Sequence, residues 1–169
     1  MYLLPQLVSY LRGEKETSTE ELYADGRSRG FNEVVRGRIL AGNYFLLKKH
    51  YADYFLQALK IRRLVAQDFL ACWGAGIDIL VTPVTLTDAP SYEDYMREDN
   101  RTQTAKQDYC TQPVNLAGVP AVTVPVKLSA RSLPLAVQLI GPHGSDGRLL
   151  QAAARLEQRL FFPRLVMAE

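Results

Sequence analysis

The sequence has few of the residues that form disulfides or bind transition metals. Cys72 and Cys110 are its only cysteines, and His50 and His143 are its only histidines. They form no Cys-x-x-Cys pair and no His/Cys cluster, so we expect no zinc or other metal site in this chain. Two distant cysteines favour a reducing compartment over a secreted fold held by disulfides.

Long apolar runs and a strong net charge are also missing. No stretch approaches the roughly 20 apolar residues that a membrane-spanning helix needs, so we expect no membrane segment. Twenty basic against eighteen acidic side chains leave a net charge of +2, which is too small to predict nucleic acid as the main partner. The apolar segment 1–13 has no basic start and no small-residue cleavage site, so we expect no secretory signal.

What the sequence does contain is 47% hydrophobic residues in regular patterns, which predicts a packed α/β architecture. A capping serine, acidic residues in the first turn and a terminal glycine predict a helix over 18–30. The pattern of apolar side chains predicts further helices over 32–49, 52–73 and 148–160. Short β-branched runs predict strands over 77–81, 121–126 and 135–140, the first of them buried on both faces. The polar stretch 84–107 is predicted to be a long loop with a broken helix, or a mobile surface segment.

A glycine-rich turn over 141–147 joins the last predicted strand to the last helix. Such a turn can hold a phosphate at a helix N-terminus, but its glycine spacing matches neither the Walker motif nor the Gly-x-Gly-x-x-Gly motif. We therefore interpret it as a tight connection with Ser145 or Asp146 as the helix cap. A catalytic triad that uses His143 is not expected, because the sequence has no Gly-x-Ser-x-Gly motif.

The most informative motifs lie at 112–125 and 133–141. They are Gln-Pro-Val-Asn-Leu-Ala-Gly-Val-Pro-Ala-Val-Thr-Val-Pro and Leu-Pro-Leu-Ala-Val-Gln-Leu-Ile-Gly. Together with Asp-Ile-Leu-Val-Thr-Pro at 78–83, they resemble the C-terminal region of the amidase signature family. The resemblance implies an incomplete α/β fold, namely the C-terminal portion of the amidase fold, a mixed sheet flanked by helices. It covers residues 18–162, with 1–17 unmatched and 163–169 as a tail.

Further motifs narrow the resemblance within that family. Gly30-Phe31, Arg38-Ile39, Gly42 and the run 98–102 are similar to the glutaminase subunits (A subunits) of glutamyl-tRNA(Gln) amidotransferases, in their mitochondrial form. The resemblance implies a subunit that supplies ammonia from glutamine for the conversion of Glu-tRNA(Gln) to Gln-tRNA(Gln). It also implies a location in the mitochondrial matrix, although this chain shows no transit peptide.

The same resemblance implies partners and cofactors. The amidotransferase subunits B and C would assemble with this glutaminase, and the partner subunit would hold ATP, Mg²⁺ and most of the tRNA. No cofactor is expected in this chain.

The resemblance also implies a substrate site without catalytic residues. The family uses a Ser–cis-Ser–Lys triad within a Gly-Gly-Ser-Ser type run, and this chain has no Gly-Gly and no Ser-Ser pair. We therefore expect no catalytic residue here and no activity of the chain alone. Arg38 aligns with the arginine that holds glutamine, and Asp108 with the aspartate that binds its α-amino group. One fixed cation and one fixed anion suit a free amino acid.

Two alternatives stay open. One is a fragment of another amidase-signature hydrolase that acts on aryl or fatty amides, which has no need of the Arg38 and Asp108 pair. The other is a catalytically dead remnant or scaffold that keeps only subunit contacts. Replacement of these two side chains separates the first alternative from the glutaminase hypothesis.

Overall fold

The computed structural model describes residues 18–160 and 162–163. The unmatched segment 1–17 and most of the tail 163–169 lie outside these residues. The chain divides into two compact units, Met1–Gln57 and Ala58–Glu169, and each is described by itself.

The first unit is helical over its described residues. It contains α1 (Thr19–Gly30), α2 (Glu33–Leu46), the short α3 (Lys48–His50) and a π-helical segment (Tyr51–Leu56). The side chain of Asn32 caps α2 by accepting a hydrogen bond of 3.0 Å from the backbone N–H of Val35, which satisfies a free amide of the first turn. The helix predicted over 32–49 is thus confirmed up to Leu46, but Leu47 has ψ 139 and interrupts it.

The helix predicted over 52–73 differs at its start. Residues Tyr51–Leu56 are π-helical, and only Gln57–Gly74 form a regular α-helix, α4. The spacing of apolar residues does not distinguish an α-helix from a π-helix over a single turn, because the hydrogen bonds of a π-helix span only one residue more than those of an α-helix.

The second unit contains a three-stranded sheet in the order β1-β3-β2, with β1 at Leu80–Pro83, β2 at Ala121–Leu128 and β3 at Pro134–Ile140. Both pairings are antiparallel, and Ile140 of the central strand aligns with both Leu80 and Ala121. A bulge between Pro125 and Lys127 shifts the register near the far end of β2. The predictions for β2 and β3, and for the turn between them, are confirmed.

The first predicted strand is shifted and less buried than its sequence suggests. The run 77–81 predicts a strand covered on both faces, whereas β1 occupies Leu80–Pro83 and alternates between half-buried and exposed side chains. Val81 is 61% exposed. Among the described strands β1 pairs with β3 alone, so within the described residues one side of β1 has no strand partner.

The core of the second unit lies between the sheet and α8 (Asp146–Leu160). Val124 and Leu139 of the sheet pack with Leu149 and Ala153 of the helix, and all four are buried. Spacings of three and four residues along α8 place its apolar side chains on one face. The inward face predicted for this helix is therefore confirmed.

Three short helices fill the segment between β1 and β2: α5 (Tyr92–Met96), α6 (Asn100–Gln107) and α7 (Gln112–Ala117). Ser91 caps α5 and Asp99 caps α6, each by accepting hydrogen bonds from backbone N–H groups of the first turn. The broken helix predicted within 84–107 is confirmed, since α5 and α6 are two short helices within this segment. Asn115 lies within α7.

Candidate functional site

Arg38 lies in the middle of α2 in the first unit and is exposed. Within the described residues its guanidinium has no hydrogen-bond or ion-pair partner. A cavity of about 550 Å³ opens between α1 and α2. Arg36 lines this cavity, whereas Arg38 does not.

Asp108 follows α6 directly in the second unit and is half-buried. Its backbone N–H donates to the carbonyl of Thr104 at 2.9 Å, and its own carbonyl accepts from the N–H groups of Thr111 (3.1 Å) and Gln112 (2.8 Å). These bonds close a turn over 108–111 that leads from α6 into α7. The Asp108 carboxylate has no hydrogen-bond or ion-pair partner among the described residues, so it is available to a cationic ligand.

The two predicted site residues thus lie in different units. The structure places each side chain within its own unit, and their joint action on one substrate stays a prediction.

Helix α6 is held against the segment that precedes it by two contacts. Gln103, which is buried, donates from Nε2 to the carbonyls of Tyr95 (3.3 Å) and Asp94 (3.4 Å). Lys106 forms an ion pair with Glu98 at 2.6 Å. These contacts hold α6 to the segment over 94–98, and neither of them reaches the turn over 108–111.

The turn itself is tied to the sheet by Gln138. This residue of β3 is 2% exposed, and its Nε2 donates to the carbonyls of Cys110 (2.8 Å) and Pro83 (3.3 Å). From the sequence, Gln138 is recognisable only as a position of the family motif, because its partners lie far from it along the chain.

Helix α7 ends at Gly118, whose φ of 73 is left-handed and therefore favours glycine. Asn115 donates from its side chain to the carbonyl of Thr111 at 3.1 Å, so it stabilises the start of the helix. Arg62 of α4 is exposed. Its Nε donates to the carbonyl of Leu116 at 2.7 Å, where the negative end of α7 favours a cation.

The glycine-rich turn is a tight connection, as the sequence predicts. Ser145 precedes α8, its carbonyl accepts the N–H of Leu149 at 3.0 Å, and its hydroxyl donates to the carbonyl of Pro142 at 2.7 Å. His143 contacts a backbone carbonyl, with Nδ1 at 3.3 Å from the Gly118 oxygen.

A cleft of about 830 Å³ lies along residues 85–107. The charged side chains around it are paired with one another, Lys106 with Glu98 and Arg97 with Asp94. A further pair joins Asp88 to Arg131 of the β2–β3 turn. The Arg131 guanidinium that donates to Asp88 holds the pKa of this carboxyl below its ordinary value, with help from the Ser129 hydroxyl.

In the described part of the chain, no group of three or more His, Cys, Asp or Glu side chains is placed to hold a metal ion. Among the same residues, no helix is long and apolar enough to cross a membrane.

Comparison with known proteins assigns the family. The family model described as Amidase matches residues 4–150, so the chain belongs to the amidase family. The match begins inside the segment 1–17, which the sequence motifs leave unassigned.

Within that family the chain is similar to the A subunits of glutamyl-tRNA(Gln) amidotransferases. It is 53% identical to the mitochondrial A subunit of Ixodes scapularis over 91% of this chain and 30% of that protein. The crystal structure of the A subunit from Thermotoga maritima is 33% identical over 81% of this chain and 30% of that chain, with a TM-score of 0.57. A crystal structure described as an amidase is 28% identical over 83% of this chain and 32% of that chain, with a TM-score of 0.61.

The chain spans about 30% of the length of the curated relatives it matches. The partial sheet with its flanking helices agrees with the C-terminal portion of an amidase fold.

Proposed function

We propose that this chain is part of the glutaminase subunit of a mitochondrial transamidase, which releases ammonia from glutamine for the conversion of Glu-tRNA(Gln) to Gln-tRNA(Gln). The observation that carries the proposal is the 53% identity over 91% of the chain to a protein named as the mitochondrial A subunit of a glutamyl-tRNA(Gln) amidotransferase. The amidase structure is only 28% identical, which favours the transamidase over a general amidase.

Arg38 and Asp108 are the proposed glutamine-binding residues. The Asp108 carboxylate stands without a partner among the described residues on a closed turn, and the Arg38 guanidinium is exposed on α2. A carboxylate suits the α-ammonium of glutamine, and a guanidinium suits its carboxylate, because charged hydrogen bonds of this kind are the strong ones. The side-chain amide is then left free to meet a nucleophile.

The nucleophile, the bridging serine and the lysine of the family are proposed to lie outside this chain, which contains no Gly-Gly and no Ser-Ser pair. The chain alone is therefore expected to hydrolyse no glutamine. In the complete enzyme, subunits B and C would be its partners, with ATP, Mg²⁺ and Glu-tRNA(Gln) bound mainly by the partner subunit in the mitochondrial matrix.

The test uses a complete glutaminase subunit that carries this region, assembled with its partners. Asp108→Ala and Arg38→Ala each remove a charged hydrogen bond that costs about 1.5–3 kcal/mol, or roughly ten- to a hundredfold in kcat/KM for glutamine. Amidation with ammonia as the nitrogen donor bypasses the glutamine site and should change little. Arg36→Ala in the same helix and Asp68→Ala on α4 are matched controls, since both residues are exposed.

The outcomes separate the hypotheses. Parallel loss of the glutamine- and ammonia-dependent activities would show that the two residues are structural. Unchanged use of glutamine in both variants would favour the general amidase. Ammonia release by the isolated chain, abolished by changing one of its serines, would contradict the expected inactivity.

A further inference from the structure

Two polar side chains are buried in the described part of the chain, Gln103 at 7% and Gln138 at 2% exposed. Both are glutamines, and each donates to two backbone carbonyls. A buried carboxamide is costly unless it is hydrogen-bonded. Each therefore acts as a link between segments that are separated in sequence.

Gln138 lies near the middle of the central strand β3. It aligns with Thr82 of β1 on one side and with Thr123 of β2 on the other. Its Nε2 reaches the carbonyl at the end of β1 (Pro83, 3.3 Å) and the carbonyl of Cys110 (2.8 Å). One carboxamide thus joins the sheet to the turn that begins at Asp108.

The turn over 108–111 is otherwise closed on itself. Its internal bonds run from Thr111 and Gln112 to the carbonyl of Asp108 and hold its shape. They do not fix its distance from the sheet. Within the described residues, the hydrogen bond from Gln138 to Cys110 makes that connection.

We propose that Gln138 is a positioning residue for the glutamine site, which fixes the turn that carries Asp108 against β3 and thereby places the carboxylate that receives the substrate ammonium. This inference rests on the proposed function. A charged group stabilises a bound substrate strongly only when it is already held in place, and displacement by about 1 Å can cost on the order of a hundredfold in rate. Loss of the tether should therefore appear as weaker use of glutamine.

The test uses the complete glutaminase subunit in its assembled complex. Gln138→Met keeps an unbranched side chain of similar length but removes the donor. We expect the KM for glutamine to rise about tenfold with a smaller change in kcat, and ammonia-dependent amidation to be retained. Gln103→Met is the matched control, because it removes a buried carboxamide that contacts Asp94 and Tyr95 instead of the turn.

Two further readouts distinguish positioning from a general structural role. If Gln138 acts through Asp108, the change Gln138→Met should add nothing to the glutamine KM once Asp108 is alanine. Hydrogen exchange of the amides of Thr111 and Gln112 should become faster in Gln138→Met and stay unchanged in Gln103→Met. If the Met variant does not assemble, Gln138→Asn, which keeps the carboxamide on a side chain one methylene shorter, should likewise raise the KM for glutamine, because its donor no longer reaches the Cys110 carbonyl.

Several results would overturn the inference. Additive effects of Gln138→Met and Asp108→Ala, or parallel loss of glutamine- and ammonia-dependent amidation, would assign Gln138 to stability alone. If hydrogen exchange at Thr111 and Gln112 becomes faster in Gln138→Met while the KM for glutamine is unchanged, Gln138 is not a positioning residue, and the proposed function is unaffected. A wild-type complex that uses ammonia but not glutamine would instead refute the proposed function, and with it the substrate role of the turn.

Discussion

Gly141 joins the central strand to the turn before α8, and the structure predicts that alanine is not tolerated there. A Cβ at this position would lie 2.5 Å from the Ser145 Oγ and 3.4 Å from the Leu149 Cδ1. Gly141 is not among the glycines with positive φ, so the backbone itself accepts alanine. The conflict is therefore with one hydroxyl group, that of Ser145, whereas the separation from Leu149 is ordinary van der Waals contact.

The magnitude follows from what must move. The Ser145 hydroxyl has to turn away from the carbonyl of Pro142, to which it donates at 2.7 Å, and the lost hydrogen bond costs about 1 kcal/mol. The displaced hydroxyl is half-buried and left without its acceptor, so the loss can reach about 3 kcal/mol, whereas the 3.4 Å separation from the Leu149 Cδ1 is ordinary van der Waals contact and adds no cost. The reduced entropy of the unfolded chain offsets about 0.4–1 kcal/mol, so Gly141→Ala should destabilise by up to about 2.5 kcal/mol.

The assay is urea unfolding followed by far-UV circular dichroism. It compares the wild type, Gly141→Ala, Ser145→Ala and the double variant. Ser145→Ala already removes the Oγ, so Gly141→Ala should cost at least about 1 kcal/mol less in that background. An equal cost of Gly141→Ala with serine or with alanine at 145 would refute the reasoning.

Two further predictions concern the second unit. Leu149→Ala removes a buried side chain of the core and should lower the free energy of unfolding by about 2–5 kcal/mol. Leu150→Ala, at a position that is 60% exposed, should change it by less than about 0.5 kcal/mol. Equal effects of the two variants in urea titrations would show that Leu149 does not belong to the core. Because the pKa of Asp88 is lowered in the folded state by Arg131, this carboxyl should stabilise the fold at neutral pH and lose that effect progressively as the pH falls below about 4. A difference in unfolding free energy between wild type and Asp88→Asn that does not decrease at all between neutral pH and a pH of about 2 would contradict the ion pair.

The elements that the sequence predicts correctly are those with a repeated pattern. Helix α8 places apolar side chains at three- and four-residue spacings over its whole length, and β2 and β3 are β-branched runs bounded by turn residues. In these elements burial and local preference favour the same structure, so periodicity is sufficient.

The incorrect predictions have physical causes as well. Helix α7 has only six residues, too few to show a period, so the sequence predicts no helix there. The run 77–81 indicates a strand by composition, but pairing with β3 determines where β1 begins. The hydrogen bond of the exposed Arg62 to the carbonyl of Leu116 leaves no signal in the sequence, because the two residues lie 54 positions apart.

The residues of the candidate site can be predicted from the sequence only through the family resemblance. An arginine and an aspartate at positions 38 and 108 carry no spacing signal, since any chain has many such pairs. Gln138 cannot be recognised as a link from the sequence, because its burial depends on the sheet and its acceptor on the fold of the segment 100–117. The residues that form a site therefore require either homology or structure.

The fold alone does not decide which amide is hydrolysed. The TM-score with the amidase structure, 0.61, is no lower than the 0.57 with the A subunit from Thermotoga maritima, so both kinds of enzyme share this scaffold. A difference in substrate must then arise from side chains on connecting segments, which vary while the scaffold is kept. The turn over 108–111 is such a segment. The carboxylate at its start is unpaired within the described residues, and the side chain of Gln138 in β3 donates a hydrogen bond to its Cys110 carbonyl. If specificity for a free amino acid depends on Asp108, it depends equally on whatever holds Asp108 in place.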